Sequence, residues 1–224
     1  MGGAEEYLEK AMELAGRAVD TQLPVVREAA GVVADALVGG KTFWVFGTGH
    51  SHLIAEELYG RAGGLASVRA VLEPGLMLHE GLLKSSLLER LGGLADVLLR
   101  VNEVAAGDVV LVVSNSGRNA VPVEFAVGAR AAGAKVVALT SLAHSEAVEF
   151  RAPGGQRLFE VADVVIDNCG VPGDALIAVE GSPERTGSTS TVVGALLAQA
   201  LVVEVVALLA ERGHTPDVLR SLNA

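Results

Sequence analysis

The sequence contains a single cysteine, Cys169, among 224 residues. One thiol excludes an internal disulfide framework and suits a reducing cytoplasm. No sequence neighbour activates it, so it reads as a small loop residue and not as a nucleophile. Aromatic side chains are scarce, at 4%, while half of all residues are hydrophobic. The core must then be Ala, Val and Leu, which favours tight packing of helices on a sheet. Basic residues are also few: 17 Lys and Arg stand against 27 Asp and Glu, for a formal net charge of -10. No Lys/Arg cluster occurs along the chain, which argues against a nucleic-acid partner. An acidic protein that binds a phosphorylated ligand must use local donors, against its overall field. No long apolar run is free of polar residues. The longest, 192–210, carries Gln199 and Glu204, which favours a buried or dimer-forming helix over a membrane span. The first residues, Met-Gly-Gly-Ala-Glu-Glu, are polar and acidic, unlike a signal peptide. Repeats, low-complexity tracts and linkers are absent. The length fits one large α/β domain with a sizeable core.

What is present is organised around residues 109–132. Val109, Val110, Leu111, Val112 and Val113 form a continuous apolar run, as in a strand buried on both faces. Ser114-Asn115-Ser116-Gly117-Arg118-Asn119 follows at once. Val121, Val123, Phe125, Ala126 and Ala129 then recur at helical spacing. Hydroxyls, amides and a glycine thus sit where a strand hands over to a helix. Free backbone N–H groups and the positive end of the helix dipole lie there, so the loop reads as a phosphate cradle. Turn and N-cap chemistry alone would also select Ser and Asn.

Residues 42–46 read as an earlier strand, followed by Gly47-Thr48-Gly49-His50-Ser51-His52 and a helix over 53–60. This repeats the strand, small-residue loop and helix. Two such loops at the carboxyl ends of parallel strands would open into one crevice. GTGHSH lacks the third glycine of a dinucleotide fingerprint and the Lys of a Walker loop. Before it, residues 7–39 read as two helical pieces broken near Pro24, with Leu8, Met12, Ala15 and Val19 on one face. Further strands are expected at 67–72, 135–139 and 161–166. Helical character is expected around 84–90 and 143–150, and 94–102 fits helix or strand. Residues 167–185 read as an excursion with a short strand at 175–179. A hydroxyl-rich cap, 186–191, precedes a last helix that runs to Arg212.

Three segments carry a family resemblance: Gly47-x-Gly49-x-Ser51-His52, Ala55-Glu56-Glu57-Leu58-x-Gly60-Arg61 and Ser114-x-Ser116-Gly117-x-Asn119. In this order and spacing the chain resembles the SIS (sugar isomerase) family, and in particular single-domain members similar to phosphoheptose isomerase. Gly181-Ser182-Pro183 and the long apolar last helix look like a functionally uncharacterised bacterial branch of SIS proteins that carry the name phosphosugar isomerase. The resemblance implies an α/β three-layer sandwich around a five-stranded parallel sheet, of flavodoxin-like or Rossmann-like type, with an N-terminal helical arm. One SIS domain would span 1–224, with helices over 1–40, sheet and flanking helices over 41–213 and a tail over 214–224. It implies a phosphorylated sugar as ligand, a homodimer or homotetramer, a cytoplasmic location and no cofactor. Ser51, Ser114, Ser116 and Asn119 look like phosphate ligands. Gly49, His50, His52, Asn115, Gly117, Ser188 and Thr189 complete the expected binding set. Glu57 falls where phosphoheptose isomerases keep a catalytic carboxylate. Their second catalytic group is a histidine on the last helix; this chain has Ala198 and Gln199 in that region, and His50 replaces a glycine.

Aldose–ketose isomerisation moves a proton between adjacent carbons, so it needs a base and a donor that polarises the carbonyl. Glu57 is the expected base, with His79 or Glu80 as its partner. His50 and His52 lack an evident third ligand, so no metal site is assigned. His144 and His214 read as surface residues. The same proton abstraction beside an acetamido group would permit elimination, similar to the SIS-family etherases. A non-catalytic sugar-phosphate sensor is the third reading.

Overall fold

The structure, a computed structural model, describes residues 3–221. The first two residues of the expected helical arm and the last three of the expected tail lie outside the described residues. Five strands form one sheet: β1 (Phe43–Gly47), β2 (Val68–Val71), β3 (Val109–Val113), β4 (Lys135–Thr140) and β5 (Val164–Asp167). All neighbours are parallel, in the order β2-β1-β3-β4-β5. The three-layer α/β architecture implied by the resemblance is the one found.

Period-two geometry divides the strand side chains between two cores. On one face, Phe43, Val45, Val109, Leu111, Val113, Val137 and Leu139 pack under α1 (Gly3–Val38), α2 (His52–Leu58) and α8 (Ser190–Glu211). On the other, Phe46, Val110, Val112, Val136 and Ala138 pack under α4 (Leu94–Val101), α5 (Ala120–Ala131) and the short α7 (Leu158–Val161). Cover on both faces explains why all five residues of β3 are buried. The rings of Phe46 and Phe125 stack with centroids 4.2 Å apart, so the end of β1 is tied to α5.

Three expectations about local structure are corrected and one open alternative is resolved. The arm is one helix of 36 residues with Pro24 inside it, not two pieces. Pro24 and Asp20 are both exposed residues, on the side of the helix where a carbonyl that lacks its N–H partner can be hydrated, and the helix continues. Its buried face is Leu14, Ala18, Val26, Ala29, Ala30, Val33 and Ala34, whereas Leu8, Met12 and Val19 are exposed. The segment 175–179 contributes only an isolated bridge, Ile177 to Thr186. The last helix is capped from outside its hydroxyl cluster. Asp174 Oδ1 accepts the N–H groups of Thr189 (3.1 Å) and Ser190 (2.9 Å), and Ser190 Oγ donates to Asp174 Oδ2. The ambiguous stretch 94–102 is resolved as helix α4, with Ala95 and Leu98 buried.

By length and composition α8 alone among the described helices is apolar enough to cross a membrane. In the fold it is a core helix: Val193, Leu197, Leu201, Val202 and Val205 pack on α1 and the sheet.

Candidate functional site

The strand order reverses direction between β1 and β3. From β1 the chain moves outward to β2, then crosses back to β3 and continues to β4 and β5. Loops leaving the carboxyl ends of two such strands diverge and leave a crevice. Here the crevice encloses about 280 Å³, just below the range of roughly 300–1,000 Å³ usual for small-molecule pockets. Its wall includes Gly49, His50 and Ser51 after β1, and Ser114, Asn115, Ser116 and Asn119 after β3. The two loops singled out in the sequence therefore face one cavity.

Packing fixes the second loop from below. Gly117 has φ +55° and is buried. A Cβ there would lie 3.1–3.2 Å from Ser145 Oγ, Thr140 Oγ1 and Leu158 Cβ, so any other residue would be both strained and crowded. Ser114 Oγ accepts the Gly117 N–H at 3.2 Å. The Asn115 carbonyl accepts from the Ser141 N–H at 3.2 Å, and its Oδ1 accepts from Asn168 Nδ2 at 2.9 Å. The backbone N–H groups of Ser116, Arg118 and Asn119 have no partner among the described residues. Unpaired N–H groups at the start of α5, together with its dipole, are what an oxyanion needs.

Glu89 stands on the same wall, and nothing in the sequence marked it. It follows α3 (Leu82–Leu88), and its carbonyl accepts the Val121 N–H at 3.0 Å. Thr48 Oγ1 donates to its Oε2 at 2.9 Å, and Asn119 Nδ2 donates to its Oε1 at 2.8 Å. One carboxylate thus ties the first loop to the second. The buried Asn119 Oδ1 has no partner. His144, expected at the surface, also lines the crevice. It belongs to α6 (Leu142–Glu146), and its Nδ1 accepts the Gly173 N–H at 3.0 Å, which leaves Nε2 as the proton-bearing nitrogen. Burial, and then the charge of Arg118, push its pKa down, so the ring is held neutral.

The other expected site residues are distributed around this crevice. His52 is buried behind the first loop, with Nδ1 3.0 Å from Glu56 and Nε2 unpartnered. Its pKa is lowered mainly by burial, against the pull of Glu56. His79 and Glu80 are exposed and lie off the wall, although their neighbour Leu78 is on it. Glu80 pairs with Lys84, whose hydrogen bond lowers its pKa. The Ser188 carbonyl accepts from the Tyr7 hydroxyl, and the hydroxyl of Thr189 is buried without a partner. Neither borders the crevice. The next two residues, Ser190 and Thr191, do border a water-sized cavity of about 10 Å³ that shares Ser51 and Asn115 with it. Among the described residues no three His, Cys, Asp or Glu side chains gather to hold a metal.

Glu57 lies along the seam between α2 and α8. Gln199 Nε2 donates to its Oε1 at 2.9 Å, and Arg61 pairs with the same oxygen. Oε2 has no partner among the described residues. Ile54, one turn earlier on α2, lines the small cavity beside Ser51. Glu57 is therefore one turn beyond the wall of that water-sized cavity and outside the crevice itself, anchored through one oxygen and, among the described residues, without a partner at the other.

The SIS domain family profile matches residues 6–141. A UPF0309 protein of Halalkalibacterium halodurans is 48% identical over 204 residues, covering 91% of this chain and 84% of that one. Among solved structures, a phosphoheptose isomerase from Neisseria gonorrhoeae superposes with a TM-score of 0.61 at 18% identity, covering 91% of this chain and 97% of that one. The Vibrio vulnificus NanR protein complexed with ManNAc-6P superposes with a TM-score of 0.56, also at 18% identity, covering 94% of this chain and 64% of that one. At such identities the superpositions establish a shared fold.

Proposed function

The chain belongs to the SIS domain family, and on that premise we propose that it binds a phosphorylated sugar and isomerises it, most directly a hexosamine or heptose phosphate. The observation that carries this reading is the second loop: three N–H groups without a partner among the described residues and two serines at a helix N-terminus, in a crevice at the sheet's switch point. The phosphate sits on the 114–119 loop and the sugar runs toward Ser51 and the α2–α8 seam. The phosphate grip supplies orientation, and the reacting carbons then lie beyond it.

Glu57 is the base. Its Oε1 is held by Gln199 and Arg61 while Oε2 remains open, the arrangement of a positioned proton acceptor. Glu89 is less suited, because Thr48 and Asn119 occupy both of its oxygens; it orders the two loops and can accept from a sugar hydroxyl. Gln199 orients Glu57 but cannot carry a proton. The second proton-transfer group is drawn from His50 and His144, the two imidazoles on the crevice wall. Elimination from an acetamido sugar phosphate shares the first step, and the Gln199 contact in place of a histidine favours it as the second reading. Proton NMR in heavy water with a panel of sugar phosphates tests the proposal. Incorporation of deuterium beside the carbonyl supports a base at work. Tight binding with no exchange for any ligand would convert the protein into a sensor.

Two further outcomes are expected. Replacing Ser114 and Ser116 together by alanine should weaken sugar-phosphate binding by roughly 1–3 kcal/mol, the scale of lost hydrogen bonds to a charged group. Calorimetric titration reads this directly, and unchanged affinity would move the phosphate off the loop. The protein is also expected to assemble at least as a dimer. Leu8 (59% exposed) and Met12 (73%) on α1, and Val203 (66%) on α8, lie on helices that pack together and leave large apolar side chains uncovered. Light scattering should give a mass of at least twice 22.9 kDa, and a monomer mass would rule the assembly out. The assembly would be cytoplasmic, as the single thiol suggests.

A further inference from the structure

Arg90, Arg118 and Arg151 are scattered along a chain whose formal net charge is -10. The fold gathers them beside the crevice. Glu89 stands on the crevice wall and its carbonyl takes the Val121 N–H at 3.0 Å, which sets Arg90 against the first turn of α5. The Arg118 carbonyl accepts the N–H groups of Arg151 (2.9 Å) and Ala152 (3.0 Å), which fastens the loop after α6 to the phosphate loop. Arg118 itself is part of that phosphate loop, and its Nη1 reaches the Glu149 carbonyl at 3.4 Å.

Arg90 and Arg151 are both close enough to act on the charge of Arg118. Burial holds the Arg118 guanidinium below its ordinary pKa, and the charges of Arg151 and Arg90 push it the same way. Glu89 and Glu149 oppose that push. Yet among the described residues none of the three arginines forms an ion pair. Other cations of the fold do pair, as Arg61 does with Glu57 and Lys84 with Glu80. The Glu89 carboxylate is already committed to Thr48 and Asn119. Three guanidinium groups against the two carboxylates of Glu89 and Glu149, with no ion pair formed among the described residues, leave positive charge for an anion supplied from outside, and guanidinium is the side chain best matched to phosphate and carboxylate.

We propose that Arg90, Arg118 and Arg151 form a second anion subsite on the rim of the crevice, which takes a further phosphate or carboxylate carried by the same sugar. The inference rests on the phosphosugar reading above and narrows its ligand class to sugars with two anionic groups, such as a bisphosphate or a phosphorylated sugar acid. Arg118 lies one residue from Asn119 in the loop that holds the first phosphate, so both groups of one ligand can be engaged at once. Tethering them then raises the effective concentration of the second.

The test is calorimetric titration of the full chain with fructose 6-phosphate, fructose 1,6-bisphosphate and 6-phosphogluconate, at about 0.15 M salt to screen the general field. The wild-type protein should bind at least one doubly anionic ligand about tenfold more tightly than the monophosphate, the scale of one added charge-assisted hydrogen bond. Arg90→Gln with Arg151→Gln, both at exposed positions, should erase that preference and leave monophosphate affinity within about twofold. Equal binding of all three ligands by the wild type would overturn the subsite, as would a preference that survives in the double variant. A third arm adds inorganic phosphate to the monophosphate titration. If free phosphate tightens binding while the bisphosphate gains nothing, the second anion is not part of the ligand and the proposal fails. Failure of every sugar phosphate to bind either protein would instead overturn the phosphosugar reading itself.

Discussion

Glu57→Gln is expected to lower deuterium exchange at the sugar carbon by about 10²–10⁴-fold, the usual contribution of a positioned base. The change keeps the shape of the side chain, so the contact with Gln199 on α8 can be retained by rotation of either amide. Affinity for the sugar phosphate should stay within about tenfold, roughly 1.4 kcal/mol, because the phosphate grip is elsewhere. Glu56→Gln is the internal comparison. Glu56 faces His52 and not the α2–α8 seam, so its loss should reduce exchange far less. Wild-type exchange in Glu57→Gln would pass the role of base to Glu89, the carboxylate on the crevice wall. Glu89→Gln would then be the variant that loses turnover.

Phe125→Ala is expected to have the largest effect on stability. Phe125 is fully buried on α5 and stacks on Phe46 at the end of β1. Both residues stand directly behind the two ligand loops, since Gly47 follows Phe46 and α5 begins at Ala120. Truncating a buried phenylalanine typically costs about 3–5 kcal/mol through lost transfer energy and the cavity left behind. Denaturant unfolding should show a loss of that size with little change in the slope of the transition. Phe125→Leu keeps most of the volume and should cost about 1.5 kcal/mol or less. A loss below about 1 kcal/mol for Phe125→Ala would mean that this layer can collapse around the gap, and that the stack does not hold the loops in register.

Those loops were legible in the sequence because each follows a short buried strand whose apolar run ends abruptly in Gly, Ser and Asn. A strand covered on both faces has no room for polar residues, so the change of composition marks its carboxyl end. The helix after the second loop was equally clear, since every position read as core-facing, from Val121 to Ala129, is buried. Glu89 was hidden because its partners, Thr48 and Asn119, are 41 and 30 residues away. In sequence it reads as one more charged residue at the end of a helix. The arginine cluster was hidden for the same reason: its members are brought near one another only by backbone pairings between segments about 30 residues apart.

Pro24 misled in the opposite direction. A proline breaks a helix when the carbonyl it displaces has nowhere to go, and here both Pro24 and Asp20 are on the exposed side of the helix. The apolar stripe of Leu8, Met12 and Val19 was legible as a stripe, and the fold leaves these three side chains exposed. A second copy of the chain is the proposed cover for it. Asp174 was missed as the cap of α8 because it reaches the helix from the 167–185 excursion, where no local pattern points to it.

The most direct measurement is the position of the phosphorus atom in a crystal structure of the protein with a bound sugar phosphate. The phosphate oxygens are expected within about 2.7–3.2 Å of the backbone nitrogens of Ser116, Arg118 and Asn119. The sugar would extend from there toward Ser51. A phosphate found instead at the N-terminus of α8, beside Ser190 and Thr191, with the 114–119 loop empty, would contradict it.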